Sequence, residues 1–177
     1  MKKFKLLFPA LFVMITLGAC GGGESTEEGQ DESTESAMVG AETDLSPYGF
    51  NYVITLPDSK SSELMLSEND WGGLDIMKGE MFMLSIAYGE GNLDLVKSDL
   101  QGDLVYKSEI LEDDGDHLLY KREIPDSGME PEYHFIYVFK AGSDIIEIQN
   151  SKDASFNEEA IRAMLMSAKS FKAKSGA

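Results

Sequence analysis

Few side chains in this chain could do chemistry, and their spacing limits what each could take part in. Cys20 is the only cysteine, so no disulfide forms within a monomer. A serine nucleophile needs a histidine base oriented by an acid, and the only histidines are His117 and His134. If Ile124 and Tyr133 close a hairpin, His117 faces Lys140 and His134 faces Glu123, about 20 Å apart at about 3.3 Å per residue. At that separation the two cannot share a metal, and each reads as a strand or turn histidine rather than a base. Glu112-Asp113-Asp114-Gly115-Asp116 gathers carboxylates on a loop, the oxygen donors that Ca²⁺ prefers. Its glycine at the fourth place, with no acid completing an EF-hand loop of about 12 residues, makes it read as a turn. Metal binding by Asp113, Asp114 and Asp116 stands as the alternative. Asp70-Trp71-Gly72-Gly73 holds the sole tryptophan, read as a buried anchor of a strand, with an exposed stacking platform for a sugar or peptide as the alternative. Met81, Met83, Met164 and Met166 read as core filling rather than copper capture. Glu109 and Glu123 are the carboxylates a hydrolase would use. The expectation is a site set with no catalytic residue, no cofactor and Trp71 as the candidate binding residue.

The elements that must position these groups follow from hydrophobic period and turn chemistry. Phe50 to Leu56, rich in β-branched and aromatic residues and stopped by Pro57-Asp58, predicts a strand. Gly73 to Met77 and Met81 to Tyr88 flank Lys78-Gly79-Glu80 as a hairpin. Leu93, Val96 and Leu100 recur at helical spacing behind Asn92, which predicts a short capped helix. Residues 59 to 70 stay open between a short strand and a helical turn. Leu104 to Glu112, His117 to Ile124, Glu132 to Lys140 and Asp144 to Gln149 form an antiparallel meander separated by turn residues. Within it Tyr133, Phe135, Tyr137 and Phe139 alternate with His134, Ile136, Val138 and Lys140, so the aromatics share one face, under a helix. That helix opens on an apparent capping box, Ser155-Phe156-Asn157-Glu158. It presents Ile161, Met164, Leu165, Ala168 and Phe171 to the sheet, with Lys169, Lys172 and Lys174 toward its negative end. The fold class is therefore α+β: an antiparallel sheet of about six or seven strands, with the C-terminal amphipathic helix and one shorter helix packed on it.

This order of elements, opened by Tyr48-Gly49-Phe50 to Leu56-Pro57 and closed by Phe156 to Phe171, resembles the PsbP-like α/β sandwich over roughly residues 47 to 172. The resemblance implies an accessory or binding domain, carries no functional residue position by position, and leaves a cystatin-like or other small α+β sheet open.

The N-terminus has another logic. Leu6 to Leu17 is an uncharged apolar run behind the basic start Met1-Lys2-Lys3-Phe4-Lys5. It is shorter than the roughly 20 residues a bilayer-spanning helix needs and fits the core of a secretory signal, about 7 to 15 residues. Pro9 would also interrupt a stable span. Leu17-Gly18-Ala19-Cys20 resembles a bacterial lipobox, which implies cleavage before Cys20 and acylation of its sulfur. Residues 1–19 are then a lipoprotein signal peptide. Residues 20–44 follow as a lipidated cysteine and acidic tether, whose self-repulsion and lack of large apolar groups predict disorder. Its carboxylates also resemble the signal that exports some lipoproteins to the outer face. Residues 45–177 form one globular domain, which is long enough to bury its own core.

The whole chain carries a formal charge of −17, and loss of Lys2, Lys3 and Lys5 with the leader takes it to about −20. Such a surface repels phosphate backbones and excludes nucleic acid as a partner. Anionic head groups repel it as well, so the lipid itself must supply the membrane attachment. The sequence thus predicts a lipid-anchored envelope protein, at the outer membrane's periplasmic face or the cell surface, that binds an envelope protein partner. A ligand-capture module using the Trp71 loop and a carboxylate hydrolase are its alternatives.

Overall fold

The alternating apolar runs fold into two antiparallel sheets and two helices. The structure, a computed structural model, describes residues 40–58 and 62–174; Leu17, Gly18, Ala19 and Cys20 lie outside the described residues. The elements are β1 (Gly40–Asp44), β2 (Tyr52–Pro57), β3 (Leu64–Glu68), β4 (Leu74–Lys78), β5 (Met83–Tyr88), α1 (Leu93–Gly102), β6 (Lys107–Asp113), β7 (His117–Glu123), β8 (Glu132–Ala141), β9 (Asp144–Asn150), α2 (Glu158–Lys169) and β10 (Lys172–Ala173). Seven strands form the main sheet in the order β3-β4-β5-β9-β8-β7-β6, and β1-β2-β10 form a small second one. This is the α+β class the sequence indicates.

The main sheet is covered on both faces. On one, Ile161, Met164, Leu165, Ala168 and Phe171 join Ile54 and Leu56 of β2 and Leu119, Phe135, Ile146 and Ile148 of the sheet in a single core. Phe139 meets Phe171 and Tyr52 edge-on at 5.1 and 5.5 Å, the offset geometry that ring quadrupoles favour. On the other face Leu93, Leu118, Tyr120, Ile136 and Val138 cluster with Val96 and Leu100 of α1. The Asn92 side chain caps α1 by accepting from Leu95 N–H.

Four expectations change. The tether was expected to reach residue 44, but Gly40–Asp44 pairs along β2 from Gly40↔Pro57 to Asp44↔Val53. Its strand is mostly exposed, so backbone pairing and the ion pairs Glu42–Lys172 and Asp44–Lys174 hold it, rather than an apolar pattern readable in sequence. The α2 cap is Asn157, accepting from Ala160 N–H at 2.9 Å, not Ser155. Phe156 sits just before that cap and joins Ile161 in the core, a hydrophobic staple. Of the three lysines placed at the helix end, only Lys169 is in its last turn. Finally, His117 pairs with Tyr137 and His134 with Tyr120, instead of with Lys140 and Glu123. This shift of odd length exchanges the faces of β7, which is buried on both sides from His117 to Tyr120 and so carries no alternation to fix its parity. The open stretch 59–70 resolves in part: Leu64–Glu68 is an edge strand against β4.

Candidate functional site

Two places gather chemically capable groups. The first is the turn between β3 and β4. The Asn69 side-chain oxygen accepts from Trp71 N–H and Gly73 N–H at 3.2 and 2.8 Å, and Asn69 N–H donates to Gly73 C=O. Gly72, at φ +77°, supplies the left-handed residue that closes the turn. With its backbone held at the tip of this loop, Trp71 projects into solvent and is 93% exposed. The expectation of a buried strand anchor is therefore overturned. Turn-forming Asn69-Asp70 and Gly72-Gly73 on either side are the signal that places the indole on a tip rather than within a strand.

Beside Trp71 lies an open cleft of about 390 Å³, lined by Asp70 and Asp75, Ser85 of β5, Gln149 and Asn150 of β9, and Lys152 and Asp153 of the following loop. The volume falls in the range of small-molecule sites, about 300 to 1,000 Å³. Its lining is unusual for such a site in being polar: carboxylates, amides, a hydroxyl and one ammonium. Part of this set is already committed. Asn69 Nδ2 donates to Asp75 at 3.1 Å. Asn150, 2% exposed, accepts from Phe135 N–H and donates to Ser151 C=O and to His134 Nδ1. These bonds stiffen the floor of the cleft. Such a site offers hydrogen-bond donors and acceptors beside an apolar ring face.

The second place is the acidic turn between β6 and β7. Asp113 leaves the cluster expected of it: its carboxylate pairs with Lys97 of α1 at 3.0 Å and accepts from Gly115 N–H, and these contacts hold it below the usual carboxylate range. Gly115, at φ +82°, lets the chain reverse. Asp114 and Asp116 instead converge on His117, whose Nδ1 lies 3.5 Å from Asp114 and 2.9 Å from Asp116. The ring is 0% exposed, and its other nitrogen faces Glu112 at 3.6 Å. Glu112 is held below its ordinary value chiefly by the hydrogen bond from Arg162 of α2.

The other candidates do not assemble into chemistry. Glu109 pairs with Lys121 at 2.9 Å, and Glu123 stands opposite Lys107, so each carboxylate faces a lysine rather than the other. His134 stacks on Tyr120, on the opposite face from His117 by strand parity. Burial pushes its imidazole below the ordinary histidine value. Among the methionines, Met164 is fully buried and Met83 packs on the core, with Met83 N–H against Met164 Sδ at 3.3 Å. Met81 is exposed and lines a shallow groove with Phe82, Ala160 and Ala163, so it is not core filling. No helix among the described residues is long and apolar enough to cross a membrane.

Set against protein-family models, curated proteins and solved structures, the chain matches none.

Proposed function

We propose that this chain is an envelope lipoprotein that captures a polyhydroxylated ligand, a sugar or short glycan, in the Trp71 cleft. One observation carries the reading: the sole tryptophan is held almost wholly in solvent at the rim of a polar cleft. Exposing an indole forgoes about 1.5 to 3 kcal/mol or more of burial available to a large apolar side chain, and a built turn holds it there. The apolar C–H face of a pyranose ring stacks on such an indole. The ring hydroxyls then bond to Asp70, Asp75, Gln149 and Asp153, and water bridges what remains. The acidic lining disfavours anionic ligands, which makes the ligand neutral or basic. We read the cleft as a binding site rather than a catalytic one, since its Asp75 carboxylate is held by Asn69; Glu109 and Glu123 lie on other strands, each facing a lysine. The accessory role implied by the PsbP-like resemblance is compatible with such binding, and an envelope protein partner remains the second use of the same exposed ring.

Anchoring belongs to the proposal too. Read as a lipobox, Leu17-Gly18-Ala19-Cys20 implies an acylated Cys20 held in a membrane, at the outer membrane's periplasmic face or the cell surface. Because the chain has a single tryptophan, its fluorescence reports on the cleft alone. Titration of the full chain in detergent with neutral oligosaccharides (N-acetylglucosamine, glucose and galactose oligomers) should shift that emission saturably. Emission unchanged by every one of them, and equally open to acrylamide quenching with and without sugar, would refute the reading.

A further inference from the structure

The acidic turn between β6 and β7 presents a buried imidazole to carboxylates at both of its ring nitrogens. His117 Nε2 is buried with no hydrogen-bond partner. When Nδ1 carries the proton and donates to Asp116 at 2.9 Å, Nε2 turns a lone pair toward the Glu112 carboxylate 3.6 Å away, two acceptors facing each other in a place water does not reach. We propose that Asp114, Asp116 and His117 Nδ1 bind a divalent transition-metal ion of the zinc type. The three donor atoms lie within 4.8 Å of one another, and the Nδ1 separations of 3.5 and 2.9 Å approximate those between ligands bonded to one ion at about 2.0 to 2.2 Å. A metal on Nδ1 moves the ring proton to Nε2, where it points at Glu112 and converts the opposed lone pairs into a donor and an acceptor. A carboxylate on the nitrogen that does not bind the metal is the usual support of a metal-bound histidine, and Arg162 fixes Glu112 for that role.

The donor set selects the ion. Imidazole suits zinc, nickel and copper, whereas Ca²⁺ takes oxygen alone, so calcium, the ion the carboxylates by themselves would suit, is disfavoured here. Asp114 and Asp116 are largely exposed, which leaves an entry path and open positions for water. Lys169, 3.7 Å from Asp114, competes with a metal for that carboxylate, so the affinity is moderate.

The site is independent of the Trp71 cleft and is tested on the full chain, stripped with chelator and titrated calorimetrically with Zn²⁺ and with Ca²⁺ at pH 7.5. One Zn²⁺ per chain is expected, weakened at least tenfold in Asp114→Asn and in Asp116→Asn. Asp113→Asn, whose carboxylate serves Lys97, retains wild-type affinity and controls for adsorption to the acidic N-terminal segment. Because His117 is buried and its replacement endangers folding, the ring is read directly: Zn²⁺ should shift the His117 Nδ1 ¹⁵N resonance of the wild type. Equal zinc affinity in Asp113→Asn, Asp114→Asn and the wild type would overturn the proposal. So would a Ca²⁺ affinity matching that of Zn²⁺, or an unmoved His117 resonance at saturating Zn²⁺.

Discussion

Replacing Asn150 removes a side chain that serves both the end of the main sheet and the floor of the cleft. The last backbone pair between β8 and β9 near this end is Ile136↔Gln149, and one residue further Asn150 Oδ1 accepts from Phe135 N–H at 3.0 Å, continuing the ladder with a side-chain amide. Its Nδ2 donates to Ser151 C=O at 2.9 Å and to His134 Nδ1 at 3.1 Å. Asn150→Ala strands the buried Phe135 N–H and the His134 ring nitrogen, and each unsatisfied buried group costs about 1 to 3 kcal/mol. The expected loss is about 3 kcal/mol, a large share of a total stability of about 5 to 15. In thermal melts of the full chain at pH 7.5 it lowers the midpoint by about 10 °C, and in urea it lowers the midpoint with the m-value unchanged. A loss below about 1 kcal/mol would show that water replaces the amide and that the floor is not built as argued.

The same amide sets the tautomer of His134: Nδ1 accepts, so a proton added there breaks the bond to Asn150. Burial already holds this ring below the ordinary histidine value, with Arg122 adding to the effect and Glu132 opposing it. The folded state therefore binds fewer protons than the unfolded chain, and stability must fall as pH drops below about 6.5, continuing until the folded ring itself titrates. Urea midpoints between pH 7.5 and 5.5 should show that fall in the wild type and lose it in His134→Gln; an equal slope in both would place the titrating group elsewhere. Leu165→Ala, which empties the α2 face over the sheet, should cost about 2 to 5 kcal/mol by denaturant melt, and a change under 1 kcal/mol would mean that α2 does not seal this core. In membrane fractionation Cys20→Ser should release the chain to the soluble fraction, and continued partitioning with membranes would contradict the lipid anchor.

Periodicity made legible those elements whose two faces differ. β8 alternates Tyr133, Phe135, Tyr137 and Phe139 strictly with non-aromatic residues and His134, and α2 repeats apolar residues at helical spacing, so both the strand face and the helix face are readable from residue order. β7 lacks that asymmetry: His117, Leu118, Leu119 and Tyr120 are all buried, and only the structure fixes which of them meet Phe135. β1 was hidden for the opposite reason, since its exposed GAETD strand shares the composition of the acidic stretch before it. The acidic turn was visible as a cluster of carboxylates but not as a site, because Asp113 points to Lys97 and the inward turn of His117 toward Asp114 and Asp116 shows only in the folded turn. Trp71 was misread because tryptophan burial is the rule for a large apolar ring, whereas here turn chemistry on both sides overrides it.

Calorimetry on the full chain, with the oligosaccharide that most shifts its fluorescence, asks whether the Trp71 ring is a binding surface. Trp71→Ala should weaken binding at least tenfold while leaving the melting temperature within about 1 °C, since a side chain in solvent contributes little to folding. Trp71→Phe should recover part of the affinity, because a smaller aromatic face still stacks. Undiminished binding by Trp71→Ala would contradict the claim, as would a melting temperature that falls by several degrees and so reveals the indole as a structural anchor.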